Sequence, residues 1–498
     1  MQNNILVQAS DSPGGLHCIS ADTGQQKWWF NPQGNMRGHT PAVDQDNGII
    51  YFQTRHRLWK INALNGALIK FTAVNNPAGG GMGSGNTVLV NDAHGYFIAT
   101  AYNDYVAYGG GVKVYDQELN LVWQDTNLML NLKTVMAYHD GVLYVGIGNS
   151  FGYSEILAWY DGELENAGVR AYDITNGNLL WEYICDPTAL HGTNAKGVID
   201  VIYCNGYVLF TDGSATDTSV YVLNASTGTL LKKWTADDGS HSACAPAAFS
   251  GGRFYFGSLA ADRVKVIQVG TGLYEDWNTY GHYPQMNHNV AHPNCLQTLD
   301  ETPTLVGNIE GGNQGGIIID GVGYFIKNHN VVKFNPDTLA IIDNFPIHQI
   351  YDSTPLFLEN KLLVKENANA RVIALNPETG DRVWNSDSNM FGNLFFGMNY
   401  FTSDISDVDS GITKEEFVNI VNTNANTIVA MFSLLVTVQE INVDMLWPEI
   451  ITKTNETINA INVNGVAATY NNLVVGMEGT ALITTLNNFW TSYVDLNS

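Results

Sequence analysis

Charge is scarce in this chain, and positive charge is scarcest. Of 498 residues only 14% are Asp, Glu, Lys or Arg, with 23 Lys and Arg against 48 Asp and Glu, a net charge of −25. A soluble protein carries about a quarter of its residues charged. A duplex-binding face needs clustered Lys and Arg to neutralise phosphate, and no such cluster exists, so nucleic acid and anionic membranes are excluded as partners. Cysteine is equally sparse. Cys18, Cys185, Cys204, Cys244 and Cys295 are scattered and odd in number, which is no disulfide framework. Long apolar runs are missing too. The most apolar stretch, residues 428–438, falls far short of the ~20 residues of a membrane span and reads as a buried helix. Residues 1–7 have neither a basic n-region nor an apolar h-region, so no signal peptide is expected. Cytoplasm, virion and extracellular assembly all stay open as locations.

Familiar nucleotide and hydrolase signatures are missing as well. No G-x-x-x-x-G-K-[ST] or G-x-S-x-G stands in a strand–helix context. The glycine-rich run at residues 79–85 lacks the Lys and following helix of a phosphate cradle.

What the sequence does contain is a repeat. A β-rich run leads to an Asp or Asn, then Thr-Gly or Asn-Gly, then a Trp or Phe. Leu16 to Gly24 with Trp28, Leu58 to Gly66 with Phe71, and Val112 to Asp116 with Trp123 are the first three copies. Val169 to Gly177 with Trp181 and Val220 to Gly228 with Trp234 follow. Val264 to Gly272 with Trp277, Val331 to Thr338 with Phe345, and Val372 to Gly380 with Trp384 complete the series. Each copy reads as a hairpin, with the Asp/Asn and Gly supplying a turn that needs positive φ. Upstream, Asp140-Gly141 and Asn205-Gly206 mark a second hairpin. Two hairpins make a four-stranded blade, and the spacing suits one blade per copy. The aromatic is placed to wedge between neighbouring blades.

This pattern resembles the tryptophan-docking repeat of the pyrroloquinoline-quinone (PQQ) dehydrogenase-like propellers, over residues 1–390. The resemblance implies an all-β, eight-bladed β-propeller of PQQ-like repeats. A C-terminal α+β extension, residues 391–498, is expected to follow. Helical spacing runs from Thr413, with Thr413 and Glu416 as a capping box. The first copy begins so near Met1 that a later segment must complete its blade, and residues 393–402 or 470–486 are the candidates. An edge left open would instead accept a strand from another molecule.

The same resemblance implies where chemistry would sit. Working quinoproteins hold Ca²⁺ or a lanthanide with Glu, Asn and Asp beneath PQQ, and the cation polarises the quinone. Asn149 matches the family's Asn at a strand end. The Glu expected before the third strand of the preceding blade is missing from residues 105–111, and the Trp-Asp expected after Pro187 is missing from residues 188–192. No two cysteines are adjacent. One ligand of three survives, so no cofactor is expected, and PQQ with Ca²⁺ or a lanthanide belongs to an alternative reading.

Other candidates are weaker patterns. Arg37, His39, Lys196, His241 and Asp352 fall where the family's channel mouth lies, and read either as an anion pocket or as solvated loop polarity. His288, His292 and Cys295, in an insertion placed at 278–312 between the sixth and seventh copies, have spacing compatible with Zn, though no second half of a zinc motif accompanies them. Asp407, Asp409 and Glu416 resemble an EF-hand loop for Ca, but the register puts Ile405 at its first position and Ser410 at its sixth. The leading expectation is a non-catalytic scaffold that binds other proteins or self-assembles, as part of a filament, virion or extracellular structure. The rivals are a PQQ-dependent alcohol or sugar dehydrogenase, and a metal- or glycan-binding propeller using Tyr153, Trp159, Tyr160 and Trp447.

Overall fold

The computed structural model describes residues 3–403 apart from the segments 12–13, 33–40, 55, 75–81, 105–108, 129–135, 149–166, 186–200, 213–217, 237–247, 259–262, 276–290, 311–315, 328, 348–354, 367–370 and 388–397. The described strands form eight four-stranded sheets, and the one described helix is a single 3₁₀ turn at Pro293–Cys295. The chain is all-β and folds as a β-propeller over the compact unit Asn4–Thr402; Met1–Asn3 and Ser403–Ser498 form a second unit. The expected helices near Thr413 and the strands at 470–486 lie outside the described residues.

Each sheet is a meander. In the second, Ala42–Asp44, Ile49–Gln53, Arg57–Asn62 and Leu68–Ala73 follow one another from the inner to the outer edge. The fourth repeats this with Ala137–His139, Val142–Ile147, Gly168–Asp173 and Leu179–Ile184. The first sheet differs, because its order is Gln26–Phe30, Gly14–Ser20, Asn3–Asp11 and then Met398–Ser403. The late strand comes from the first of the two expected closing segments, and closure removes a sheet edge.

Packing confirms the ring. The second and third strands are buried on both faces, because each lies between two neighbouring sheets. One core cluster joins Ile202 and Val222 of the fifth sheet to Phe254 and Val266 of the sixth and Phe325 and Val332 of the seventh. Another joins Ile19 and Ala21 of the first sheet to Leu363, Val372 and Trp384 of the eighth. Burying a side chain of this size stabilises by about 1.5–3 kcal/mol.

The turn between the third and fourth strands fixes each sheet to the one before it. Asn62 shows how. Its Oδ1 accepts the Leu64 N–H at 2.9 Å, and its carbonyl accepts the Gly66 N–H at 2.9 Å. That fold turns the Ala63 carbonyl outward, where the Trp28 indole N–H of the preceding sheet donates to it at 2.9 Å. Gly66 sits at φ +69°, and a Cβ there would lie 2.6 Å from Trp28 Cε3, so the ring needs the bare glycine. Trp123 donates to the Ile174 carbonyl at 2.6 Å and Trp181 to the Ala225 carbonyl at 2.8 Å. Trp384 of the last sheet donates to the Ala21 carbonyl of the first at 2.9 Å, closing the ring with the same bond.

Where tryptophan is missing, another donor reaches the same carbonyl. Lys60 Nζ donates to the Gln117 carbonyl at 2.9 Å and Lys333 Nζ to the Pro377 carbonyl at 3.2 Å. The Pro336 carbonyl accepts from Arg253 and from the Tyr274 hydroxyl. Two of these turns carry leucine in the glycine position, Leu119 at φ +56° and Leu339 at φ +60°. The space left by the missing indole is filled from the turn's own side: Leu339 Cδ1 lies 2.9 Å from where a Gly307 Cβ would stand.

Two sequence expectations need correction. In the sixth copy the strand Arg263–Thr271 runs through Thr271, and its outer partner is Thr298–Glu310. The insertion placed at 278–312 therefore contains this sheet's own fourth strand, and Trp277 precedes that strand. Phe71 is also misplaced as a staple. In strand register Lys70 stands opposite Lys60, as Trp181 stands opposite Ala171, while Phe71 stands one residue further on, exposed beneath Arg57. Phe345 does wedge: it is buried under Gly380 of the next sheet.

Trp123→Ala should lower unfolding free energy by about 3–5 kcal/mol, read by urea denaturation, while the exposed neighbour change Val122→Ala should move it by less than about 0.5 kcal/mol. His17 is buried against Trp29, and burial lowers its pKa from 6.5 to about 4 although a hydrogen bond with Gln26 raises it. Between those values the unfolded chain binds the extra proton, so stability falls as pH drops through this window. A His17→Phe variant should show a shallower loss of stability from pH 6.5 to 4, measured by denaturation at each pH.

Candidate functional site

Strand direction sorts the connections by end. Because the strands alternate, the links between second and third strands leave at the same end as the links between sheets. The turns within each hairpin leave at the other. That other end is tight outside the sixth sheet, whose third and fourth strands are joined by residues 272–297. Asp140-Gly141, Asn205-Gly206 and Asp320-Gly321 all take positive φ in two-residue turns, the hairpin geometry that matches strand twist. The first end carries the length: 148–167 joins Val142–Ile147 to Gly168–Asp173, and 185–200 joins Leu179–Ile184 to Val201–Cys204. Rigid strands with uneven loops at one end are the common arrangement of a binding surface.

Most residues singled out from sequence belong to these links. Asn149, Arg37, His39, Lys196, His241 and Asp352 lie outside the described residues, as do Asp407, Asp409, Glu416, Tyr153, Trp159, Tyr160 and Trp447. Asn149 follows directly on Gly148, which comes just after its strand at φ +101°.

Two described carboxylates at the loop-bearing end, Glu366 and Asp212, are already engaged. Glu366 is buried, with Oε2 held by Arg371 Nε at 2.6 Å and Oε1 by Arg382 Nη2 at 3.2 Å. Asp212 accepts the Ser219 N–H at 2.8 Å and the Tyr221 hydroxyl at 3.0 Å. A hard cation needs several oxygens turned toward it, so these residues do not fit the Ca²⁺ or lanthanide of a quinone site. Among the described residues no three His, Cys, Asp or Glu side chains gather as a metal site.

Of the proposed zinc ligands, His288 lies outside the described residues, while His292 precedes the 3₁₀ turn and Cys295 is its last residue. His292 caps that turn: its Nδ1 accepts the Asn294 N–H at 3.2 Å and lies 3.6 Å from Glu275 Oε1. Cys295 is buried, 3.8 Å from the Ser250 hydroxyl. Burial raises its thiol pKa, as it does for Cys204, which is the opposite of what a thiolate ligand requires. The segment has a packing task of its own. Asn205 donates to the Leu296 carbonyl at 2.9 Å, and Ala291 N–H to the Tyr203 carbonyl at 2.8 Å, fixing the sixth sheet to the fifth. Sequence reasoning missed both this bracing and the buried Glu366 pair. The available signal for the latter was a carboxylate ending one strand, Glu366, with Arg371 opening the next.

A family profile described as "Outer membrane protein assembly factor BamB" matches residues 1–272. No curated protein sequence matches the chain. Among solved structures, apo AztD from Citrobacter koseri is 11% identical at a TM-score of 0.50, covering 80% of this chain and 98% of its own. The dihydro-heme d1 dehydrogenase NirN in complex with DHE is 12% identical at a TM-score of 0.50, covering 79% of this chain and 74% of its own. At these identities the likeness is one of fold.

Cys204 and Cys295 should stay unreactive toward a disulfide reagent in the native protein and titrate only on unfolding. Fast labelling of Cys295 in the native state, or its protection by added Zn²⁺, would show a reactive ligand in place of a packed thiol.

Proposed function

This chain belongs to the PQQ-like β-propeller family of the outer membrane protein assembly factor BamB, and from that premise we propose that it is a non-catalytic scaffold. In this reading the eight sheets are the blades of one ring over residues 1–390, closed by a strand from the following segment. The links at one end, longest around the fourth and fifth sheets, bind another protein. The observation that carries it is the contrast between the ends. The turns between third and fourth strands hold sheet to sheet in all but the sixth sheet, while the links at the loop-bearing end differ in length from sheet to sheet. The family's description as an assembly factor is in keeping with a protein partner.

Catalysis by a bound quinone is not part of this reading. The chain keeps Asn149 but departs from the quinoprotein pattern at its two carboxylates, and Glu366 and Asp212 are engaged elsewhere. Among the described residues no helix is long and apolar enough to cross a membrane.

A photo-crosslinking amino acid placed at position 196 or 241, in the protein's source material, should give a discrete adduct with one partner. The same group at position 65 or 176, in the turns of the opposite end, should not. Equal labelling at both ends would remove the reading. Addition of PQQ with Ca²⁺ or a lanthanide should give no quinone absorbance band and no alcohol-dependent dye reduction, and a clear signal in both would replace the scaffold with a dehydrogenase.

A further inference from the structure

An Asn-Gly pair is prone to lose its side-chain amide, because glycine has no Cβ to keep its nitrogen away from the asparagine side chain. The sequence holds five such pairs, of which Asn464-Gly465 lies outside the described residues. Asn47-Gly48, Asn65-Gly66, Asn176-Gly177 and Asn205-Gly206 all stand in turns at the tight end. In each the asparagine is exposed and the glycine takes positive φ, from +62° to +85°.

The four differ at one atom. Gly66 N–H is held by the Asn62 carbonyl at 2.9 Å and Gly177 N–H by the Asp173 carbonyl at 2.8 Å, the bonds that shape the docking turns. Gly206 N–H donates to the Tyr203 hydroxyl at 3.1 Å. Gly48 N–H has no acceptor among the described residues. The side chains do not account for the contrast. Asn47 Nδ2 donates to Asp44 Oδ2 at 2.8 Å, and Asn176 Nδ2 donates to Asp173 Oδ2 at 3.0 Å in the same manner.

We propose that Asn47 is a deamidation site, and that its conversion loosens the second sheet from both neighbours. Gly48 nitrogen gives its proton to solvent base and bonds to Asn47 Cγ. The Cγ–Nδ2 bond breaks, and ammonia leaves with a proton from water. Water then opens the cyclic imide at either carbonyl, leaving aspartate or isoaspartate. The net change is water taken up and ammonia released, with no oxidant or reductant. Asp44 gives the change its effect. It is buried, and its Oδ2 accepts the Tyr96 hydroxyl of the third sheet at 2.5 Å as well as the Asn47 amide. A carboxylate at position 47 replaces that amide donor with a like charge. On the other side, the Gly48 carbonyl accepts the Ala63 N–H at 2.8 Å, and the Ala63 carbonyl is where Trp28 of the first sheet docks. Isoaspartate adds a methylene to the main chain just before Gly48 and moves that support. The loop-bearing end takes no part.

Peptide mapping by mass spectrometry, on the full chain stored in mildly alkaline buffer, tests the site. The Asn47 peptide should gain the acid about tenfold faster than the peptides of Asn65, Asn176 and Asn205, a factor equal to about 1.4 kcal/mol and so to about one hydrogen bond. In urea, where the turns are lost, all four should convert at similar rates. Thermal unfolding tests the consequence. Asn47→Asp should unfold at a lower temperature than the parent. Asn65→Asp should match the parent, because its Oδ1 still accepts the Ala67 N–H, at 2.9 Å in the native turn. Native Asn47 converting no faster than the other three, or keeping its lead in urea, would overturn the site. Asn47→Asp as stable as the parent would overturn the loosening.

Discussion

One carbonyl in each sheet but the sixth carries the architecture. It belongs to the residue after the Ser, Asp or Asn that opens the turn between third and fourth strands, and it faces the preceding sheet. A four-stranded sheet cannot bury both faces alone, so its stability lies in its neighbours. The outward carbonyl gives each neighbour a fixed place to bind. Indole is the best donor for the task, since one group fills the space above a glycine and makes a directed hydrogen bond. Lysine and arginine keep the bond and give up the ring, and leucine in the turn restores the lost volume. The repeat therefore tolerates change in its most visible residue while holding the acceptor constant.

That constraint divides the molecule. Turns between third and fourth strands are bound by the bond each must present, and the two-residue turns between first and second strands at the same end leave no room for insertion. The sixth sheet is the exception that shows the rule: its third-to-fourth connection is long, and residues 291–296 then brace the fifth sheet in place of a docking turn. Links at the opposite end vary in length. Binding in a family of this shape is free to change there without cost to the ring.

Much of this was legible in the amino-acid order. The eight copies gave the sheets, Asp140-Gly141 and Asn205-Gly206 gave hairpin turns, and Trp28, Trp123, Trp181 and Trp384 gave the docking residues. The errors have two causes. A one-residue slip changes which side chain faces the neighbour, and no residue type announces it, so Phe71 looked equivalent to Trp181 when Lys70 is. The sixth copy failed because its fourth strand, Thr298–Glu310, comes after an insertion with no turn signal at the expected distance. Lys60 and Lys333 were readable only as odd charges in apolar strands, since their acceptors lie in the next copy. The channel-mouth candidates fall in links whose role in the sequence rested on family likeness, and no spacing rule fixes which of them act together.

Closure of the ring by the same kind of bond that joins all but one of the other pairs is the central claim, and it rests on Trp384 and the Ala21 carbonyl. Hydrogen exchange of a Trp384→Ala variant, followed peptide by peptide, tests it most directly. Amide protection should fall first in Gly14–Ser20 and Arg371–Leu375, on the two sides of that seam, while Val142–Ile147 and Tyr207–Thr211 across the ring stay protected. Unchanged protection at the seam, or a uniform loss around the whole ring, would contradict it.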